Sequence, residues 1–220
     1  NYNTAVGACT LYANTTGASN TAVGYRAMVA NTCGNYNTAL GYTALESNTT
    51  GTCNTGIGYR ALVGNTTAAG NTASGFYSLK CNTTGYKNTA SGTRSLQENT
   101  TGYSNTASGF YSLYLNTTGS RNVAVGRQAL ANNTVGNDNT ASGYRSLYQN
   151  TASFNTAFGA CSLCANTTGC YNTAVGYRAL RLNTTGDRNT ASGYGTLRDN
   201  TTGHSNTASG YQALYNTTTG

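Results

Sequence analysis

The sequence predicts an all-β chain, a parallel β-solenoid or β-roll of thirteen 17-residue repeats. Three observations carry the prediction. An Asn opening an NT[A/G] or NVA phrase stands at Asn3, Asn20, Asn37, Asn54, Asn71, Asn88, Asn105, Asn122, Asn139, Asn155, Asn172, Asn189 and Asn206, always 17 residues apart except for one step of 16 after Asn139. All seventeen Lys, Arg, Asp and Glu residues fall in six slots of the repeat. The composition excludes the ordinary alternatives, with no Pro, no Trp and 8 % charged residues. That is too little charge for a disordered chain, too little hydrophobicity for a conventional core, and no residue that would delete a hydrogen bond between stacked strands.

With the opening Asn as slot 0, the repeat reads N-T-A-[V/S]-G-Y-R-[A/S]-L-x-x-N-T-T-G-x-x. Asn3, Asn20 and Asn37 begin the ladder of slot 0. Slots 1 to 5 alternate, with Ala and Gly to one side and Thr, Val or Ser and an aromatic to the other, which predicts a short strand. Slot 4 is Gly in every copy, as at Gly7, Gly24 and Gly41, and suits close backbone approach in a narrow interior. Slot 5 is Tyr or Phe in nine copies and predicts an aromatic row. Slot 8 holds the one large core residue per turn, as at Leu11, Met28 and Leu45. Segments such as YRALRL in slots 5 to 10 resemble one turn of helix, a rival for that part of the coil. Slots 11 to 14, N-T-T-G, predict a turn. The charged slots 5, 6, 9, 10, 15 and 16 predict exposed corners, because unpaired charge avoids burial. The short copy ends NTASF, which places its deletion in the NTTG corner and predicts that Asn155 stacks on Asn139.

Residues 1–220 are read as a single uncapped array, an excerpt of a longer fibre. Net charge is +7, but less than one basic residue per turn and no block of like charge argue against a nucleic-acid partner. No apolar run approaches a membrane span. The seven Cys occupy different slots, and the lone Cys161-Ser-Leu-Cys164 spacing lacks the second pair that a zinc site needs, so no metal or other cofactor is expected. Disulfides between corners are expected only in an extracellular setting. The single His204 and the five isolated carboxylates Glu46, Glu98, Asp138, Asp187 and Asp199 supply no convergent reactive groups, so the chain is not expected to be an enzyme.

Two binding readings stand beside a structural one. Thr rows in slots 1, 12 and 13 would form a flat hydroxyl array such as ice-binding solenoids use, and the Tyr row would serve a glycan. Asn-x-Thr sequons occur at Asn14, Asn48, Asn65, Asn82, Asn99, Asn116, Asn132, Asn166, Asn183, Asn200 and Asn216, candidate glycosylation sites on a secreted surface. A motif built into a repeat also produces sequons with no selection for glycans.

The phrase N-T-A-[V/S]-G-Y-x-A-L, as in NTAVGYRAM from Asn20 to Met28 and NTAVGYRAL from Asn172 to Leu180, resembles the Ala-x-Gly repeats of trimeric autotransporter adhesin heads. It is also similar to NTA-GY-AL-NTTG arrays of bacterial and phage fibre proteins. The resemblance implies a left-handed parallel β-roll wound as a homotrimer that displays or extends a binding tip. This chain departs from it in its longer period and its inserted NTTG turn. The expectation is a structural extracellular fibre or adhesin shaft, assembling with itself as a homotrimer or head-to-tail filament. A cell-surface or glycan ligand is a further expected partner.

Overall fold

In the computed structural model, which describes residues 2–219, each T-A-x phrase is a strand of three residues. The first of two compact units, running to Ser108, holds β1 (Thr4–Val6), β2 (Thr21–Val23), β3 (Thr38–Leu40), β4 (Thr55–Ile57), β5 (Thr72–Ser74), β6 (Thr89–Ser91) and β7 (Thr106–Ser108). The second, from Gly109, holds β8 (Val123–Val125), β9 (Thr140–Ser142), β10 (Thr156–Phe158), β11 (Thr173–Val175), β12 (Thr190–Ser192) and β13 (Thr207–Ser209). Within each unit every strand pairs in parallel with the next. Pairing is slot on slot, as in Thr38↔Thr55 and Ala174↔Ala191. The parallel β-solenoid of 17-residue coils is therefore the observed fold.

Strands this short do not stand alone, and the rest of each coil also bonds to its neighbours. In slots 5 to 10 no helical turn forms. Slots 6 and 8 have positive φ, as at Arg60 (55°) and Leu45 (52°), and the residues between them do not, so the dihedrals alternate in sign. Alternation turns the slot 6 and slot 8 N–H groups to opposite sides along the stacking direction, while slot 7 donates within its own coil, as Ala61 N–H does to Gly58 O at 3.4 Å. Arg60 N–H donates back to Tyr42 O at 2.9 Å, and Leu45 N–H donates forward to Ala61 O at 3.0 Å. Slot 16 repeats the device, with Cys53 (φ 57°) donating to Asn35 O at 3.0 Å. A left-handed residue is disfavoured in isolation. Here they place backbone donors on carbonyls of neighbouring coils.

The interior has two parts. Slots 2, 7 and 8 form an apolar strip, and Met28 together with Leu45, Leu62, Leu79, Leu96, Leu113, Leu130, Leu147, Leu163, Leu180 and Leu197 is completely buried within one chain. Each such side chain contributes about 1.5–3 kcal/mol of burial. Leu11, with a neighbouring coil on one side only, is half-buried. Beside this strip runs a core of carboxamides. Asn37 N–H donates to Asn20 Oδ1 at 2.9 Å, while Asn37 Nδ2 donates across the coil to Gly51 O at 2.8 Å. Asn48 in slot 11 donates to Asn31 Oδ1 at 2.9 Å and to the same Gly51 O at 3.1 Å. Asn3 begins the slot 0 ladder, accepting from Asn20 N–H at 2.9 Å. Two Asn rows thus converge on the slot 14 carbonyl, which satisfies buried polar groups that water cannot reach.

Gly in slot 4 is required twice over. Gly41 has φ +138°, and a Cβ there would lie 2.5 Å from Gly58 O. Gly24 and Gly7 share the same positive φ, 131° and 130°.

The 16-residue coil keeps both cores. Thr140 pairs with Thr156, and Asn155 N–H donates to Asn139 Oδ1 at 3.0 Å. Ala152 O takes the role that slot 14 plays elsewhere, accepting from Asn139 at 2.8 Å and Asn150 at 2.7 Å. The absent residue is therefore slot 13. Its N–H elsewhere only adds to donors already on one carbonyl, as Thr16 does on Thr32 O at 3.1 Å.

Candidate functional site

Where the chain turns out of the strand, slots 5, 6 and 9 bring aromatic and basic residues together. Slots 6 and 9 of one coil touch because the tight turn between them folds the chain back. Tyr111 and Tyr114 have ring centroids 4.7 Å apart, and Arg145 lies over the Tyr148 ring at 5.0 Å.

In the first unit, slot 5 forms a ring ladder. Tyr25 and Tyr42 stack at 5.2 Å, Tyr42 and Tyr59 at 5.3 Å, and Tyr59 and Phe76 at 5.2 Å, with interplanar angles of 9–20°. Ring faces therefore meet one another, and the edges and phenol oxygens face outward. In the adjacent slot 6 row the short Thr43 stands between Arg26 and Arg60. The result is a groove of about 220 Å³ lined by Tyr25, Arg26, Tyr42, Thr43, Glu46, Tyr59 and Arg60. Arg26 Nε pairs with Glu46 Oε1 at 2.9 Å. Arg60 lies over Tyr77 at 5.7 Å, and its hydrogen bond to that phenol lowers the Tyr77 pKa below the ordinary tyrosine value.

In the second unit Tyr177, Tyr194 and Tyr211 stack at 5.3 and 5.2 Å. In slots 5, 6 and 9 of this unit four guanidiniums lie on rings: Arg127 over Phe110 (5.7 Å) and Tyr144 (5.9 Å), Arg145 over Tyr148 (5.0 Å) and Tyr144 (5.4 Å), Arg178 over Tyr177 (4.9 Å), and Arg198 over Tyr215 (5.0 Å). At slot 16 Arg188 lies over Tyr171 at 6.0 Å.

Charge is divided unevenly among the slots. Nine of the twelve basic residues occupy slots 5, 6 and 9, and Glu46 is the one carboxylate there. The remaining three, Lys87, Arg121 and Arg188, share slots 15 and 16 with Asp138 and Asp187. Sequence distance hides this, because residues 17 or 34 apart look dispersed, whereas stacking sets them one or two coils apart on the same face. Sorting the basic residues by slot, rather than looking for runs, is the signal that finds the row.

Eight sequon residues, Asn48, Asn65, Asn82, Asn99, Asn116, Asn166, Asn183 and Asn200, lie in slot 11 and are completely buried. Each uses its Nδ2 to hold the slot 14 carbonyl, as in Asn82 to Gly85 O at 2.8 Å. Asn14 and Asn132 are half-buried and Asn216 is exposed. The slot 12 hydroxyls are engaged as well, Thr49 Oγ1 donating to Thr66 O at 3.1 Å. Slot 1 leaves its Thr row on the outer strand face.

His204, which the sequence separates from the carboxylates, meets Asp187. Its Nδ1 accepts from Asp187 N–H at 3.0 Å and lies 3.7 Å from Asp187 Oδ2. Among the described residues no three His, Cys, Asp or Glu side chains gather as they would around a metal ion. The cysteines are free thiols. Cys161 and Cys164 take the touching slots 6 and 9, and burial pushes the Cys164 thiol up, with the neighbouring Cys161 acting in the same direction. No helix of the described residues is long and apolar enough to cross a membrane.

Comparison with known proteins finds no matching family model, no matching curated protein and no matching solved structure.

Proposed function

We propose that the chain is a structural shaft, a segment of an extracellular fibre or adhesin stalk that assembles with itself. The observation that carries this reading is the closure of both cores, apolar and carboxamide, by stacking alone. Each coil satisfies its backbone on the coils above and below, so lengthening the stack adds stability per coil and needs no further domain. The resemblance to adhesin-head and fibre repeats supports the same role, with a homotrimer or a head-to-tail filament as the assembled form. The variable corner slots then serve solubility and contact, and the invariant ones serve stiffness.

Mass per length of the assembled filament tests this. Thirteen coils in 22.7 kDa at ~4.8 Å per coil correspond to about 3.6 kDa per nm for one chain in cross-section, and three times that for a homotrimer. Either value, with resistance to a general protease, supports a shaft. Monomers that never assemble and are digested rapidly overturn it.

A second reading has one supporting observation. Thr4, Thr21, Thr38, Thr55, Thr72, Thr89 and Thr106 line up in register on the outer strand face of the first unit, as a hydroxyl array for ice would require. The adjoining slot 3 row carries Val6, Val23, Leu40 and Ile57 before it becomes Ser. Thermal hysteresis and ice-recrystallisation assays decide this reading.

A further inference from the structure

We infer that the slot 5, 6 and 9 face of the second unit binds an extended chain of sugar acids, an acidic polysaccharide that runs along the stacking direction. Five guanidiniums, Arg127, Arg145, Arg178, Arg181 and Arg198, occupy this face in the coils that begin at Asn122, Asn139, Asn172 and Asn189, and no carboxylate shares their slots. Of these five, only Arg198 has a carboxylate within ion-pair distance among the described residues, Asp199 at 3.1 Å. The charge on the face is therefore largely uncompensated.

The guanidiniums are also positioned in advance. Arg145, Arg178 and Arg198 lie 4.9 to 5.0 Å from the centroids of Tyr148, Tyr177 and Tyr215. A guanidinium held on a ring keeps N–H groups at its rim for a carboxylate and loses less freedom on binding one. Phenol oxygens beside them supply donors and acceptors for sugar hydroxyls.

Spacing and ring occupancy identify the class of polyanion. Arg145 and Arg178 share slot 6 two coils apart, and Arg181 and Arg198 share slot 9 in adjacent coils, so cations within a slot are separated by multiples of ~4.8 Å along the stacking direction, whereas a DNA duplex carries one charge per ~1.7 Å on a curved surface. Cations this sparse along one direction match a single extended chain with one anionic group per unit. Single-stranded nucleic acid is held chiefly by bases stacked on open aromatic faces. Here Tyr194 stacks between Tyr177 and Tyr211, and Arg178 lies over Tyr177, which leaves few faces for bases. Sugar acids need the guanidiniums and the phenol rims, both of which are presented. This inference concerns a partner, and it stands whether or not the chain forms a filament.

The test is binding of the full chain to polygalacturonate, to its fully methyl-esterified form and to oligothymidylate, each over a range of NaCl concentrations. Polygalacturonate is expected to bind and the esterified polymer not to bind. The triple variant Arg145→Gln/Arg178→Gln/Arg181→Gln should weaken polygalacturonate at least tenfold and reduce the slope of log affinity against log salt by about two, roughly 0.7 per cation removed as for a single-stranded polyanion. Lys87→Gln/Arg121→Gln/Arg188→Gln removes the same charge from slot 16 and should change binding less than threefold. The corresponding Arg→Lys triple, which keeps the charge but not the fork, should fall between wild type and the Gln triple, and thermal melts confirm that all variants fold. Equal losses in the two Gln triples, binding of the esterified polymer, or tighter binding of oligothymidylate each overturn the inference.

Discussion

Replacing Asn71 by Ala tests whether the carboxamide core holds the stack. Asn71 is completely buried. Its Oδ1 accepts from Asn88 N–H at 3.0 Å, and its Nδ2 donates to Gly85 O at 2.8 Å. The Ala variant leaves the Asn88 amide buried with no acceptor, which costs about 1–3 kcal/mol. Gly85 O keeps the bond from Asn82 at 2.8 Å, so losing its second donor adds only ~1 kcal/mol. The expected loss is therefore about 2–4 kcal/mol, comparable to a large-to-small change in an apolar core. Because a repeat stack opens locally, hydrogen exchange is the sharper assay. Protection should fall at the Asn88 amide, with urea unfolding reporting the total. The double variant Asn71→Ala/Asn82→Ala strips Gly85 O of both donors and should lose about 1 kcal/mol beyond the sum of the single variants. A single-variant loss below about 1 kcal/mol, or strict additivity, would refute the idea that these amides are structural.

Gly75→Ala at slot 4 combines strain of ~1–3 kcal/mol with overpacking of ~1–3 kcal/mol, because φ is +138° and the new Cβ would lie 2.6 Å from Gly92 O. Gly85→Ala at slot 14 also crowds a backbone carbonyl, Gly102 O, but has no positive φ, and Ala68 and Ala152 already occupy that position, so it should cost less than Gly75→Ala by the strain contribution; denaturant midpoints compare the two. Deleting Thr84, which is slot 13, reproduces the natural short coil and should cost only ~1 kcal/mol for its bond to Thr100 O at 3.3 Å, whereas deleting Ala90 inverts the strand faces and should prevent folding as judged by circular dichroism. Asp138 meets Arg121 through two bonds of 2.7 Å, and that hydrogen bonding holds its carboxyl below the ordinary aspartate value. Its contribution is present above the unfolded-state pKa and is lost as pH falls through the lowered folded value. Because the pair is largely exposed, the change should stay below about 1 kcal/mol and be absent in Asp138→Asn, as read by urea unfolding at each pH. In a eukaryotic secretory host, intact-mass and peptide analysis should find glycan only at Asn14, Asn132 or Asn216; occupancy at Asn82 would contradict the folded burial of slot 11.

Much of the fold was legible because a repeat is its own alignment. Slots that hold one residue in every copy must meet the same surroundings, so the stacking register, the Ala and Leu interior and the largely exposed slots 5 and 16 could be read from Asn3 to Asn206 alone. Slot 9, expected to be an exposed corner, is instead half-buried in most coils and buried at Val63, Gln97 and Ala131, because the tight turn folds it back against slot 6. The candidate face was less legible. Arg145 and Arg178 are 33 residues apart in sequence, and a search for charged runs passes over them. His204 and Asp187 likewise meet only because each is in slot 15.

By itself the sequence determined period, register and the separation of inside from outside, since these follow from which side chains tolerate burial at a fixed spacing. The tertiary structure decided what the spacing leaves open. The slot 5 to 10 segment, helical by local pattern, takes alternating signs of φ because its slot 6, 8 and 10 N–H groups are satisfied by neighbouring coils, while slot 7 donates within its own turn, as Ala61 N–H does to Gly58 O at 3.4 Å. The sequon Asn residues became core, because two amide rows on one carbonyl satisfy a buried backbone that no solvent reaches. The basic residues became a row on one face, because stacking converts a sequence period into adjacency.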